Sequence, residues 1–232
     1  RCAIVTGVQT CALPIWGLRE RGHRLQPFKK GPDYIDPMWH ALAAGVPCYN
    51  LDFNTHAPAD LQALFAARAG PAQVALVEGN KGLFDGMALD GSNSNAGLAA
   101  LLELPVVLVV DCQGMTRGIA PLLLGYADFE PRVPIAGVVL NRVAGRRHEA
   151  KLRESVAHYT PFPVFGAVHR HPDLDIEERH LGLVPSNEAH GAERVVARIA
   201  RRLLDQVDLD ALLEAVAGPE LAPPAPAAPP AA

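Results

Sequence analysis

A chain of 232 residues can bury a core of its own, and one domain is the expectation at this length. Hydrophobic residues at 49%, charged residues at 20% and a net charge of −4 are globular values, and the acidic balance argues against a nonspecific nucleic-acid binder. No apolar run reaches the ~18 residues of a bilayer-crossing helix, and Cys2, Cys11, Cys48 and Cys112 lack C-x-x-C spacing, which points away from a zinc site or disulfide framework. The expected protein is cytoplasmic, with a small-molecule partner, no nucleic acid and no membrane.

Taken in order, the first fifteen residues stand apart. Val5 to Ile15, VTGVQTCALPI, reads as the translation of a common sequencing adapter, so residues 1–15 are set aside as non-biological; a strand from Cys2 to Thr6 with an unusual loop is the alternative. A phosphate-binding loop is expected just there, ahead of the helix end Trp16 to Arg21, yet no G-x-x-x-x-G-K-[ST] is present. From that point short β-branched runs alternate with amphipathic stretches, the rhythm of βαβ units. Strands are expected over Arg24 to Lys29, Gln73 to Glu78, Pro105 to Asp111, Pro134 to Asn141 and Pro163 to Val168. Helices are expected over Pro58 to Ala69, Ser92 to Glu103, Gly118 to Tyr126, Arg146 to Tyr159, Ala189 to Gln206 and Asp210 to Ala217. The fold class is therefore α/β, a mostly parallel sheet flanked by helices. A domain over residues 16–208 is followed, over 209–232, by a short helix and a Pro/Ala-rich linker.

Several strands end on a polar residue, Lys29, Glu78, Asp111 and Asn141, which puts the chemistry at the carboxyl edge of the sheet. Two segments carry it. In Pro27-Phe28-Lys29-Lys30-Gly31-Pro32-Asp33-Tyr34-Ile35-Asp36-Pro37 a strand-terminal lysine meets a Gly-Pro turn and two acids; lysine neutralises phosphate oxygens, and acids orient a substrate or metal. Alone, such a segment is more often a solvated turn. In Glu78-Gly79-Asn80-Lys81-Gly82-Leu83-Phe84-Asp85-Gly86 an acid leaves a buried strand for a glycine-rich loop, as a Mg²⁺-binding carboxylate does. His169, His171 and His180 fit no standard zinc spacing; they read as surface or substrate-edge histidines, and Cys112 as a small core residue.

Together the two segments resemble the cobyrinic acid a,c-diamide synthase family, and the same order continues through Asn50-Leu51-Asp52, Gly91-Ser92, Val109-Val110-Asp111, Val139 to Val143 and Glu178 to Pro185. The resemblance runs from about Gly17 to Glu188. It implies a P-loop NTPase-like synthetase domain similar to dethiobiotin synthetase, in which ATP phosphorylates a tetrapyrrole carboxylate and ammonia displaces the phosphate, in cobalamin biosynthesis. ATP and Mg²⁺ are the implied cofactors. Lys29 is implied to contact the transferred phosphate, Glu78 to bind Mg²⁺, with Asp52 a weaker metal candidate. Asp33, Tyr34, Asp36 and Asp85 are implied to position the substrate carboxylate or the intermediate. Asn141 and Arg142 match the position that meets the nucleotide base, and the loop from Pro185 to Glu188 completes that pocket.

The family's ammonia comes from glutamine through a carboxy-terminal glutaminase domain, and no Cys/His pair follows residue 208, so that domain is expected to be absent from this chain. Two alternatives stand beside this reading: amidation of a sirohydrochlorin or sirohaem-type tetrapyrrole, and a ParA-like partitioning or regulatory ATPase on the same sheet. The GPDYIDP segment speaks against the second, since a switch ATPase has no use for a substrate-carboxylate loop. Oligomeric state is left open, a homodimer among the arrangements.

Overall fold

A computed structural model describes residues 2–6, 8–171, 178–179, 182–183, 185–188 and 191–217. Seven strands form one parallel sheet: β1 (Cys2–Thr6), β2 (Leu25–Lys30), β3 (Tyr49–Leu51), β4 (Val74–Gly79), β5 (Val106–Asp111), β6 (Ile135–Val143) and β7 (Val164–His169), in the order β3-β2-β4-β1-β5-β6-β7. A two-stranded antiparallel ribbon, β8 (Glu178–Arg179) and β9 (Gly182–Leu183), stands apart from it. The helices are α1 (Val8–Glu20), α2 (Ile35–Ala44), α3 (Pro58–Ala69), α4 (Asn95–Leu101), α5 (Ile119–Phe129), α6 (Arg146–Tyr159), α7 (Ala192–Leu204) and α8 (Leu209–Ala215).

Both faces of the sheet are covered, which is why its inner strands are apolar almost throughout rather than alternating. Every residue of β4 is buried. On one face Phe28, Val77, Leu108 and Leu140 pack with Leu61 and Phe65 of α3, Leu98 of α4, Leu123 of α5 and Leu152 of α6. On the other, Leu76, Val107 and Val139 pack with Ile15 of α1, Trp39 of α2, Ile199 and Leu203 of α7 and Leu212 of α8. Among the described residues no helix is long and apolar enough to cross a membrane.

The expected strands all form, with ends shifted by a residue or two; α3 and α6 have the expected bounds. Residues 2–6 form the central strand, paired with β4 on one side and β5 on the other. Not expected were β3, only three residues long, the ribbon strands β8 and β9, and α2, which begins inside the Gly-Pro-rich segment.

Candidate functional site

Parallel pairing aligns Lys29 with Glu78 and Lys30 with Leu51, so the two segments singled out in the sequence end side by side at the carboxyl edge. Successive strand residues face opposite sides of a sheet. The two adjacent lysines accordingly enter different surroundings.

Lys29 turns toward α2 and is buried, 2% exposed. Its ammonium lies 2.7 Å from Asp36, 3.3 Å from Glu78 and 3.9 Å from Asp33. Burial lowers the lysine pKa, but Glu78, Asp36 and Asp33 outweigh it and hold the group above its ordinary value. Burial, with Glu78 and Asp33, likewise keeps Asp36 above the usual carboxylate range despite the lowering by Lys29. Three carboxylates around one ammonium leave an excess of acidic groups. Glu78 is fully buried, and its Oε2 also meets the buried His40 Nε2, while Oε1 has no hydrogen-bond partner.

His40 went unnoticed in the sequence. It sits four residues after Asp36 on α2, and residues so spaced share a helix face; the signal was available only once a helix was placed there. The helix is held at its start by Asp33, whose Oδ1 accepts from the amides of Ile35 at 3.0 Å and Asp36 at 3.3 Å. Tyr34, by contrast, is 78% exposed.

Lys30 faces the other side of β2. It lines an open cleft of ≈530 Å³ together with Asp52, Asn80, Lys81, Asp85 and Asn93. Its ammonium meets the Asn80 amide oxygen at 3.2 Å. Burial pulls Lys30 below the ordinary lysine value, with Lys81 and Lys29 adding to the fall against Asp52. The glycine-rich wall of this cleft is clamped from behind. The buried Asn95 side chain accepts from the Asn80 amide at 3.2 Å and donates to the carbonyls of Asn80 and Gly82, and Asn93 accepts from the amides of Met87 and Ala88 at 2.9 and 3.0 Å. Gly79 has to be glycine, because a Cβ there would stand 2.8 Å from Asn95. Lys81, a non-glycine residue, is held at φ +51°.

The acids of this cleft are committed locally. Asp52 Oδ1 accepts from the amide and side chain of Asn54 at 3.0 and 2.9 Å, its Oδ2 from Thr55 at 3.3 Å. Asp85 Oδ2 accepts from the Gly82 amide at 3.1 Å. Asp52 and Glu78 thus belong to different faces of the edge, and among the described residues no group of three or more His, Cys, Asp or Glu side chains is arranged around one metal position.

Further along the edge, Arg142 follows Asn141 in β6 with φ +56° and pairs with Asp111 of β5 at 2.8 Å, while its amide donates to Asn141 Oδ1 at 2.9 Å. Pro185 and Glu188 close a turn in which the Glu188 amide donates to the Pro185 carbonyl at 3.0 Å. His169 pairs with Glu149 at 2.7 Å; His180 lies outside the described residues. Ahead of Trp16 the sequence carries no G-x-x-x-x-G-K-[ST], whose backbone, lysine and hydroxyl hold a nucleotide's phosphates, so the residues present there do not fit them.

A protein-family profile described as "AAA domain" matches residues 56–178. Over 196 residues the chain is 48% identical to the cobyrinate a,c-diamide synthase of Magnetococcus marinus, covering 84% of this chain and 42% of that protein. It is 47% identical to the hydrogenobyrinate a,c-diamide synthase of Brucella suis, covering 84% and 44%. The chain therefore spans less than half the length of these relatives. Among solved structures, chloroplast FtsY from Physcomitrella patens superposes with a TM-score of 0.52 at 16% identity, over 86% of this chain and 65% of that one, a likeness of fold.

Proposed function

The chain belongs to the AAA-domain family, and on that premise we propose that it is the substrate-carboxylate half of an ATP-dependent amide synthase acting on cobyrinate or hydrogenobyrinate. The observation that carries the reading is the meeting of the GPDYIDP and EGNKGLFDG segments at one sheet edge, in a chain 48% identical over 196 residues to a cobyrinate a,c-diamide synthase.

Turning a carboxylate into an amide needs activation: a carboxylate oxygen takes the terminal phosphoryl group, and ammonia then adds to the acyl carbon as the carbon–oxygen bond to phosphate breaks. What the residues of this chain offer is placement and charge. Lys29, kept protonated by its acids, holds Asp36, Glu78 and Asp33 within 4 Å of one point. Glu78 Oε1, buried and unpartnered, fits a Mg²⁺ ligand, and the surplus carboxylates supply the charge a divalent ion requires; bound there, Mg²⁺ would neutralise phosphate oxygens. His40 donates to the same carboxylate and fixes which oxygen is free. Asp85, lining the Lys30 cleft, and the exposed Tyr34 orient the incoming substrate. Phosphoryl transfer itself is assigned no residue ahead of Trp16, where the sequence carries no phosphate-binding motif.

The test compares the chain as it stands with a variant carrying a G-x-x-x-x-G-K-T loop between Thr6 and Val8. With cobyrinate, ATP, Mg²⁺ and ammonium, mass spectrometry should show amide formation in the loop-bearing variant, and little or none in the parent. Cobyrinate that remains unamidated in a folded, ATP-binding variant would overturn the proposal.

A further inference from the structure

Of the groups expected to receive the substrate, Asp33, Tyr34, Asp36 and Asp85, three are acids, and a carboxylate does not settle among carboxylates without a cation. In the cleft beside Asp85 the lining cations are Lys30 and Lys81. Lys30 is only 7% exposed, and among the described residues it has no acid within ion-pair distance; its hydrogen-bond partner is the neutral amide of Asn80. A buried charge without a counter-charge is costly and is normally paired. Asp52 acts on Lys30 only from beyond ion-pair distance, its oxygens held by Asn54 and Thr55, and Asp85 is held by the Gly82 amide. Lys81 is held on the same wall in a left-handed backbone conformation that a lysine adopts at a cost, the kind of strain that persists where the surroundings impose it.

We propose that Lys30 and Lys81, with the Asn80 amide, form an anion seat that receives a carboxylate of the substrate and thereby selects which of its carboxylates reaches the Lys29 cluster on the other side of β2. The proposal rests on the amidation reading for the identity of the substrate, and on the geometry of the cleft for the seat. The two lysines differ in what they give. Lys30 is a fixed floor, held by the strand and Asn80; Lys81, on the loop, closes from the side.

The experiment titrates the full chain by isothermal calorimetry with cobyrinate, with tricarballylate as a small tricarboxylate and with inorganic phosphate, and repeats it with Lys30→Met, Lys81→Gln and, as a remote control on the exposed part of α6, Lys151→Gln. Loss of one charge-assisted contact should weaken cobyrinate binding roughly ten- to a hundredfold in Lys30→Met, less in Lys81→Gln, and not in the control. Melting temperature supplies the second reading. Lys30→Met removes an unpaired buried charge, so without ligand the variant should melt no lower than the parent, whereas a merely structural lysine would leave it less stable. Cobyrinate binding unchanged in Lys30→Met would overturn the seat and leave the amidation reading intact. Lys30-dependent binding of tricarballylate without cobyrinate binding would keep the seat and sink the substrate. Phosphate bound as tightly as tricarballylate, or no binding of either carboxylate, would overturn the inference.

Discussion

Glu78 carries one hydrogen-bonded oxygen and one buried oxygen with no partner, and the unpartnered one has a measurable signature. A ligand that binds only the folded state raises its stability, so millimolar Mg²⁺ should raise the melting temperature of the chain, and Glu78→Gln should abolish the response. Asp52→Asn should keep it, because both Asp52 oxygens serve Asn54 and Thr55; a response lost equally in both variants would put the ion elsewhere. A second pair yields a pH dependence. Although burial raises the Glu149 pKa, hydrogen bonds from Arg153 and His169 bring it below 4.5. A carboxylate depressed in the folded state stabilises it fully above its unfolded value and loses that contribution as pH falls through the folded one. The stability gap between the parent and Glu149→Gln should therefore be constant from neutrality down to about pH 5 and close below it, as read by urea denaturation across that range.

Among the elements, Gly166 of β7 faces the turn between α7 and α8 so closely that a Cβ would lie 2.5 Å from the Gln206 carbonyl oxygen. Neither backbone can yield easily, and Gly166→Ala should cost about 1–3 kcal/mol, seen as an unfolding midpoint shifted to lower denaturant. Asp208 caps α8 by accepting from the Ala211 amide at 3.0 Å; Asp208→Ala should cost about 1 kcal/mol. The elements differ in how plainly the sequence announces them. Helix α3 opens on Pro58, a residue suited to a first helical position, and α6 is framed by Gly145 and Thr160, so both were legible to the residue. Helix α2 was not. Its third residue is Pro37 and a Gly-Pro turn precedes it, so local signals read as loop, although proline in a first turn breaks no hydrogen bond. That omission hid His40, because the Asp36–His40 pair exists only on a helix. Lys29 and Glu78 were legible as strand-end polar groups, and Asp33, Asp36 and Asp85 from the two motif segments, but not which side of the sheet each would face: Lys29 and Lys30 face opposite sides by strand alternation, and the strand runs one residue further than the pattern suggested, so that Lys30 belongs to it.

At the scale of the whole molecule the sheet divides the interior into two packed layers, and α2 ties the site to one of them through Trp39, which is 1% exposed. Trp39→Ala should cost about 3–5 kcal/mol and, because Asp36 and His40 ride on the same helix, should also blunt the Mg²⁺ response; full loss of stability with the response intact would uncouple α2 from the cluster. The strand order has its own bearing on ligands. Lys30 stands at the end of β2 and Asn141 near the end of β6, with β4, β1 and β5 between them. At about 4.8 Å per strand the two positions are roughly 19 Å apart. A base bound beside Asn141 and a polyanion held at Lys30 would not touch, so adenosine, which reaches no phosphate position, should leave the cobyrinate titration midpoint unmoved: the two ligands should occupy the protein together, without competing.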